Sequence, residues 1–295
     1  MSWLQRLRDD GDLIAPFRGW PTGAWLLLSL LFVYLLLMGS PLVRGLPDIL
    51  AAVLLTVLFT AAALTAALQV SRLQIGPLAE LAGLLLGVLN WFLYLSIGIS
   101  TDIGRLTIVP ASDVLLLLGL MMGGRLFVRI ARDVKLMLPI ALTLILMDIG
   151  TVYFGFTGAM LENAPGIVEA VSVKLPEVGS AAGPEGISGL RHMATMGPGD
   201  TLFAAFFFAG AVRFGLNLRR SFRWILGIIA VTLALLVAIP SVPPIPLLPL
   251  MTVGFLVPNW RSIKLDREEW GYLAIAFVFL MLIIGAMSYL TRMLF

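Results

Sequence analysis

The chain has 295 residues, 60% of them hydrophobic and 13% charged, with a mean hydropathy of +1.01. Soluble domains are closer to half apolar and a quarter charged, so this composition predicts a polytopic membrane protein. The absence of cysteine excludes disulfides, thiolate metal sites and a cysteine nucleophile, and the single histidine, His192, excludes multi-histidine metal centres. The formal net charge of +3 is small and gives no reason to expect a nucleic-acid partner.

Nine apolar segments follow one another along the sequence, and about 20 residues are needed to cross a bilayer as a helix. They cover residues 23–42, 49–70, 77–98, 106–124, 137–158, 196–216, 224–240, 246–258 and 270–291. The eighth is short and begins in a proline cluster, so we expect it to be partly extended. The predicted fold class is an all-α integral membrane protein with about nine transmembrane helices, and residues 1–295 form a single polytopic domain.

The distribution of Lys and Arg among the connections predicts the orientation. With the connections assigned alternately from a cytoplasmic N-terminus, 15 of these residues fall inside and 5 outside, which accounts for all 20. This asymmetry predicts a cytoplasmic N-terminus, an odd number of spans and a C-terminus outside. The long connection 159–195 is then an extracytoplasmic loop, and its alternating patch at 168–174 predicts a strand.

Two aspartates lie in consecutive apolar segments, Asp148 in the fifth and Asp200 near the start of the sixth. An ionised carboxylate at bilayer depth costs at least about 2.5–3.5 kcal/mol, which indicates a function. Counted from residue 158 and from Arg191, both aspartates lie roughly 14 Å below the outer surface. Consecutive antiparallel helices are usually neighbours, so we expect the two carboxylates to meet and to share a proton.

A proton-sharing carboxylate pair is suited to peptide hydrolysis. The ionised member takes a proton from water while the protonated member polarises the scissile carbonyl, and neither a cofactor nor a metal is required. Before Asp200, Gly197 and Gly199 are expected to allow backbone angles and close approaches that other residues do not. Pro198 disfavours regular helix, so the helix is predicted to begin near Asp200 and to leave loosened backbone for a substrate.

The eighth segment contains four prolines in seven residues, in the run Pro243-Pro244-Ile245-Pro246-Leu247-Leu248-Pro249-Leu250. Such a run cannot be helical throughout. Near a protease site, extended backbone offers main-chain groups to an extended substrate by strand addition.

Together these residues resemble the presenilin and signal peptide peptidase family of GxGD intramembrane aspartyl proteases, as a prokaryotic-type homologue. The family has an Asp in one membrane helix, GxGD in the next and a PAL motif two helices further on. The resemblance covers roughly residues 49–258 and implies a presenilin-like bundle with Asp148 and Asp200 as the catalytic dyad. The matching motif residues, implied to line the substrate cleft, are Gly197, Pro198, Gly199, Pro246, Leu247, Leu248 and Pro249.

The chain departs from the family pattern at several points. Met147 stands where the family usually has Tyr, Leu247 replaces the Ala of PAL, and Pro198 is an unusual x in GxGD. The aspartates lie on the fifth and sixth segments rather than the sixth and seventh, and a ninth segment follows the PAL-like run. We infer that the family's first helix is missing and that a C-terminal helix has been added.

The resemblance implies an aspartic endopeptidase that cleaves within transmembrane segments, in the orientation of signal peptide peptidase. The implied partners are the lipid bilayer and transmembrane peptides or signal-peptide remnants, in a prokaryotic inner membrane, with no cofactor. The natural substrate and the oligomeric state stay open. Two other hypotheses stay open as well: a proton- or ion-coupled transporter that uses the same carboxylates, and an inactive relative that only binds peptides.

Other polar residues have simpler interpretations. Glu80 and Asn90 are predicted to form contacts between helices, and Asp113 is predicted to lie at a polar cavity or an interface, at a depth similar to the dyad. The string 186–189 mimics the GxSG of rhomboid proteases, but its Ser lies only four residues from His192 in a polar loop, which argues against that family. Leu202 occupies the position where prepilin peptidases usually carry Lys.

Overall fold

The computed structural model describes residues 22–37, 48–97, 102–153, 173–174, 195–238, 245–263 and 265–294. Within these residues each of the nine predicted apolar segments overlaps one α-helix. The helices are α1 (Thr22–Leu37), α2 (Asp48–Arg72), α3 (Pro77–Ile97), α4 (Asp102–Val128), α5 (Met137–Tyr153), α6 (Pro198–Arg213), α7 (Leu218–Ala238), α8 (Leu247–Asn259) and α9 (Arg267–Leu294). A short 3₁₀ helix, Val134–Leu136, precedes α5.

Three of these helices are long and apolar enough to cross a membrane, which indicates membrane association. The qualifying stretches are Val53–Arg72 in α2, Pro77–Tyr94 in α3 and Thr107–Val128 in α4. Shorter apolar helices include Thr22–Leu37 and Leu247–Asn259. How many of the nine helices span the bilayer therefore stays a prediction.

Helix α6 lies at the centre of the described bundle, packed mainly against α4 and α2 and also against α7 and α8. Its residues 204–211 are all buried. Phe207 stacks on Phe255 of α8 with ring centroids 4.8 Å apart, and Phe206 contacts Phe127 of α4 at 5.5 Å. Because burying an aromatic side chain removes a large apolar area from solvent, these contacts hold the Asp200-bearing helix firmly among its neighbours.

Glycines bring α3, α4 and α6 into backbone contact. A Cβ added to Gly87 of α3 would lie 2.7 Å from the carbonyl oxygen of Leu115 and 2.9 Å from the Cα of Gly119 in α4. A Cβ added to Gly124 of α4 would overlap the carbonyl oxygen of Leu202 in α6. Small residues allow this close approach between membrane helices, where packing rather than hydrophobic burial drives association.

Helices α7 and α8 form an antiparallel pair fixed by polar groups at one end. The amide of buried Asn259 donates to Ser221 Oγ at 2.7 Å, and its Oδ1 accepts the N–H of Asn217 at 2.8 Å. A Cβ added to Gly254 would lie 2.9 Å from the backbone nitrogen of Ile225. This buried network satisfies every polar atom of the amide, so it fixes the register of the two helices.

Helix α9 lies at the periphery. It packs mainly against α5 and exposes large apolar side chains, among them Ile275, Phe279 and Leu282. At its start, Lys135 Nζ donates to Asp266 and Glu269, each at 2.9 Å. These hydrogen bonds raise the pKa of the Lys135 ammonium above its ordinary value, and the bond to Asp266 has the larger effect. Helix α9 is thus attached to α5, the helix that carries Asp148.

The connection 159–195 lies mostly outside the described residues. Within it, the predicted strand is confirmed for two residues: β1 (Val173–Lys174) pairs antiparallel with β2 (Thr195–Met196), in the register Val173 with Met196. The remainder of the patch 168–174, the string 186–189, His192, Pro243 and Pro244 lie outside the described part of the chain.

Candidate active site

The two aspartates lie at the same level of the bundle. Helices α5 and α6 touch near the end of the bundle that lies away from the aspartates. There the side chain of Met137 covers Gly210, and a Cβ added to Gly210 would lie 3.0 Å from the Sδ of Met137. From this contact Asp148 is eleven residues along α5 and Asp200 is ten residues back along α6. At 1.5 Å per residue, both are displaced by about 15–16 Å in the same direction. The helix geometry therefore agrees with the prediction that the two aspartates share one level; their depth in a membrane stays a prediction.

Asp148 is tied to the start of α8. The backbone N–H of Leu248 donates to Asp148 Oδ2 at 3.0 Å. Leu248 is the second residue of α8, and the first N–H groups of a helix have no partner within the helix. The carboxylate therefore occupies the positive end of α8 and accepts a donor that the helix leaves free. This contact joins the predicted catalytic aspartate to the PAL-like run.

Asp200 caps its own helix. Helix α6 begins at Pro198, so Asp200 is its third residue, and its Oδ2 accepts the N–H of Gly197 at 3.2 Å. Pro198 occupies the first helical position, where its missing N–H costs nothing. The helix thus begins within two residues of the predicted position, and its first turn holds the carboxylate at the end of the helix.

The two glycines of the GxGD string do not have the conformational role predicted for them. Gly197 has φ −65° and ψ 149°, which any residue adopts. Among the described residues, the positive-φ glycine is Gly215, in the turn before α7. What distinguishes Gly199 is space, because no described residue has an atom within 4 Å of where its Cβ would be. With respect to the described part of the chain, the backbone beside Asp200 is therefore open on this face rather than specially bent.

The carboxylates of Asp148 and Asp200 are close enough for their charges to interact. Helix α5 itself packs mainly against α8 and α9, whereas α6 packs mainly against α4 and α2. Helix α8 contacts both, through Leu248 to Asp148 and through Phe255 to Phe207. The pair is thus assembled by three helices rather than by two consecutive ones alone.

The proline-rich run is less extended than predicted. Ile245 and Pro246 precede the helix, and Pro246 has φ −62° and ψ 134°, an extended conformation. Leu247, Leu248 and Pro249 already belong to the first turn of α8. Pro249 fits there because the first-turn N–H groups need no intrahelical acceptor. Within the described residues the extended segment is therefore short, and helix begins earlier than we expected.

Two buried hydroxyl groups, on α6 and α8, were not identified from the sequence. Thr201 and Thr252 are 1% and 0% exposed, and within the described part of the chain neither Oγ1 has a hydrogen-bond partner. Helical hydroxyls elsewhere bond to the carbonyl four residues back, as Thr65 does to Ala61 at 2.7 Å. A buried hydroxyl without a hydrogen-bond partner is costly, so the Thr201 hydroxyl beside Asp200 calls for a functional explanation. No sequence pattern distinguishes Thr201 from other helical threonines.

The predicted contacts of Glu80 and Asn90 are confirmed. Asn90 donates to Ser112 of α4 at 2.9 Å. Glu80, which is 1% exposed, accepts hydrogen bonds from Arg125 at 2.9 Å and Arg129 at 2.6 Å. Glu80 is thus a structural carboxylate between α3 and α4, at the end of the bundle away from the dyad.

Asp113 is buried in α4 but at a different level from the dyad. Gly124 of α4 lies against Leu202 and Phe206 of α6, and both helices run in the same direction. Asp113 lies eleven residues before Gly124, which places it roughly 10 Å further than Asp200 toward the end of the bundle at which α4 and α6 begin. The prediction of equal depth was therefore wrong.

The chemistry available at this site is that of two carboxylates. In the described ranges, no group of three or more His, Asp or Glu side chains is placed to hold a metal ion. Two carboxylates on separate helices whose charges interact, each also bonded to a backbone N–H, are the groups that general acid–base chemistry on a water molecule requires.

Comparison of the chain with protein-family models, with curated proteins and with solved structures finds no match.

Proposed function

We propose that the protein is an intramembrane aspartic endopeptidase of presenilin-like fold, with Asp148 and Asp200 as the catalytic pair. The proposal includes nine membrane spans, a cytoplasmic N-terminus and the signal peptide peptidase orientation inferred from Lys and Arg. The substrates would be transmembrane peptides or signal-peptide remnants in a prokaryotic inner membrane.

The observation that carries the proposal is the hydrogen bond between Leu248 N–H and Asp148 Oδ2. It joins two of the three motif elements from positions 100 residues apart in the sequence. The third element is linked by the charge interaction of Asp148 with Asp200. A chance match of three short strings gives no reason for the strings to meet in space.

The proposed mechanism needs only these side chains and water. One carboxylate takes a proton from the attacking water while the other, protonated, donates to the scissile carbonyl oxygen. The open face at Gly199 leaves room for an unwound substrate segment beside Asp200. Because activity requires one ionised and one protonated carboxylate, the pH–rate profile should be bell-shaped, with a mildly acidic to neutral optimum.

The test is cleavage of a membrane-helix substrate by purified protein in detergent or vesicles. Wild-type protein should cleave, and Asp148→Asn and Asp200→Asn should each lower kcat/KM by about a thousandfold or more while preserving the fold. Asn keeps the shape and the hydrogen-bond acceptor but cannot carry the proton or the charge. Melting curves like that of the wild type would show that the loss is chemical.

Two results would refute the proposal. Proton-coupled flux in vesicles without any cleavage would favour the transporter hypothesis. Binding of a transmembrane peptide by wild type and both Asn variants alike, without cleavage across the pH range, would favour an inactive peptide-binding protein.

A further inference from the structure

The sequence between the two acidic residues Asp200 and Asp266 contains no Asp or Glu. The same stretch contains six cations, namely Arg213, Arg219, Arg220, Arg223, Arg261 and Lys264. It includes all of α7 and α8. Elsewhere at this end of the bundle, Arg125 pairs with Glu80 and Lys135 pairs with Asp266. The α7–α8 pair therefore carries positive charge that its own sequence does not balance.

Arg213 is exposed but donates to the carbonyl oxygen of Val128. Three further arginines, Arg220, Arg223 and Arg261, also have exposed side chains. They are brought to one end of the pair by Asn259, which bonds to Ser221 and to the N–H of Asn217. Arg220 and Arg223 flank Ser221 on α7, and Arg261 follows two residues after Asn259. The buried amide thus fixes the spacing of cations from two different helices.

Two tryptophans accompany the arginines. Trp224 is 48% exposed and follows Arg223, and Trp260 is 52% exposed and precedes Arg261. Further along the same two helices the exposed side chains are apolar, among them Val231 on α7 and Val257 on α8. This outer face therefore changes from aliphatic to tryptophan to arginine toward one end. Tryptophan concentrates at the headgroup level of bilayers, and arginine beyond it meets phosphate.

We propose that this face, defined by Arg220, Arg223, Trp224, Trp260 and Arg261, binds the headgroup of an anionic phospholipid. The guanidinium groups bind the phosphate, bidentately where the geometry allows, and the tryptophans contact the glycerol and upper acyl region. Charge complementarity selects this occupant over a neutral lipid. The proposal does not rest on proteolysis, because the face lies at the opposite end of α7 and α8 from Asp148 and Leu248.

The experiment measures lipid preference by tryptophan quenching. Full-length protein is reconstituted in phosphatidylcholine vesicles that contain a fixed fraction of brominated phosphatidylglycerol or, in parallel, brominated phosphatidylcholine. In wild-type protein, brominated phosphatidylglycerol should quench tryptophan fluorescence more strongly than brominated phosphatidylcholine does. The variant R220Q/R223Q/R261Q should lose about fivefold of that preference for each arginine removed. Gln is a good helix former, and the Asn259 network is untouched, so the variant should fold.

Matched controls separate this site from general attraction to negative membranes. Arg132 and Arg267 are exposed at the same end of the bundle but adjoin Asp133 and Glu268, so R132Q/R267Q should keep the preference. Replacing Trp224 and Trp260 with Phe should remove the lipid-specific quenching. Inorganic phosphate at millimolar concentration is the competitor that tests for a simple anion site. If it displaced the brominated lipid as effectively as added phosphatidylglycerol does, the lipid site would be overturned in favour of an anion site. An unchanged preference in the triple arginine variant would overturn the proposal altogether.

Discussion

Carboxylates at the two ends of the helix bundle have different kinds of hydrogen-bond partner. At one end, which we call the basic end, residues 128–136, 213–218, 259–263 and 265–266 are joined by ion pairs and by side chains that bind helix-terminal carbonyls. Arg213 donates to the carbonyl oxygen of Val128 at 3.0 Å, and Lys135 binds Asp266 and Glu269. At the other end, the carboxylate end, the hydrogen bonds shown at Asp148 and Asp200 come from backbone N–H groups.

Glu80 and Asp200 show what the difference means. Glu80 is buried between two guanidinium groups, so its negative charge is balanced and it has no reason to exchange a proton. Asp200 accepts one backbone N–H and interacts with the charge of a second carboxylate. The first arrangement balances a fixed negative charge, and the second is the arrangement that the proposed proton-sharing pair requires. Burial alone does not identify a catalytic acid; the partners do.

The largest loss of stability is expected from Glu80→Gln, which tests the structural role of the basic end. The variant leaves Arg125 buried without its counter-charge, and removing one partner of a buried ion pair costs about 3 kcal/mol or more. A partly exposed Arg129 contributes little of this. Chemical or thermal unfolding in detergent would measure the loss. The activity of the molecules that remain folded should not change.

The matched control for Glu80→Gln is Asp148→Asn, which should do the reverse by abolishing cleavage with little loss of stability. If Glu80→Gln instead lowered kcat in fully folded protein, the separation of the two ends into a structural end and a reactive end would be wrong.

The next largest loss of stability is expected from Gly124→Ala, because Gly124 lies between the basic end and the carboxylate end. Its methyl group would overlap the carbonyl oxygen of Leu202 and lie 2.9 Å from the backbone nitrogen of Phe206, and neither is a flexible side-chain end. Forcing α4 from α6 should cost about 2 kcal/mol of unfolding free energy and displace Asp200. Gly227→Ala, with nothing within 4 Å, should be neutral or stabilise α7. Equal melting temperatures for the two variants would contradict the close packing.

Much of this architecture is predictable from the sequence because it depends on local patterns. Apolar runs located all nine helices of the described residues, and the position of each aspartate along its run gave their common level. The contact between Gly87 and Gly119 was also detectable, since both belong to GxxxG strings, at 83–87 and 119–123. These features need only spacing along one helix.

The partners of the carboxylates were not predictable, because they depend on which helix faces which. Nothing in the spacing pairs Glu80 with Arg125, 45 residues later, or Asp148 with the N–H of Leu248. The helical start of α8 was missed for a different reason. Proline was taken as a helix breaker, whereas in the first turn it removes an N–H that needs no helical partner.

A smaller effect is expected from Leu248→Pro, which removes the N–H that donates to Asp148 Oδ2. Proline is tolerated in the first turn of a helix, so α8 should persist while the dyad loses one fixed contact. We expect kcat to fall about tenfold, the equivalent of one charge-assisted hydrogen bond. Leu248→Ala keeps the N–H and should retain more activity. If Ala were as harmful as Pro, the side chain rather than the N–H would be the important group.

The smallest effect is expected from Thr201→Val, which replaces a buried hydroxyl by a methyl group of the same size. If the hydroxyl holds water for the adjacent Asp200, kcat should fall about threefold with KM unchanged, and Thr201→Ser should restore it. Thr65→Val, whose hydroxyl bonds to its own helix, should leave kcat unaltered. A Thr201→Val protein that melts higher with full activity would mean that the hydroxyl is only a buried, unsatisfied group. In that case the reactive character of the carboxylate end would rest on the two aspartates and their backbone donors alone.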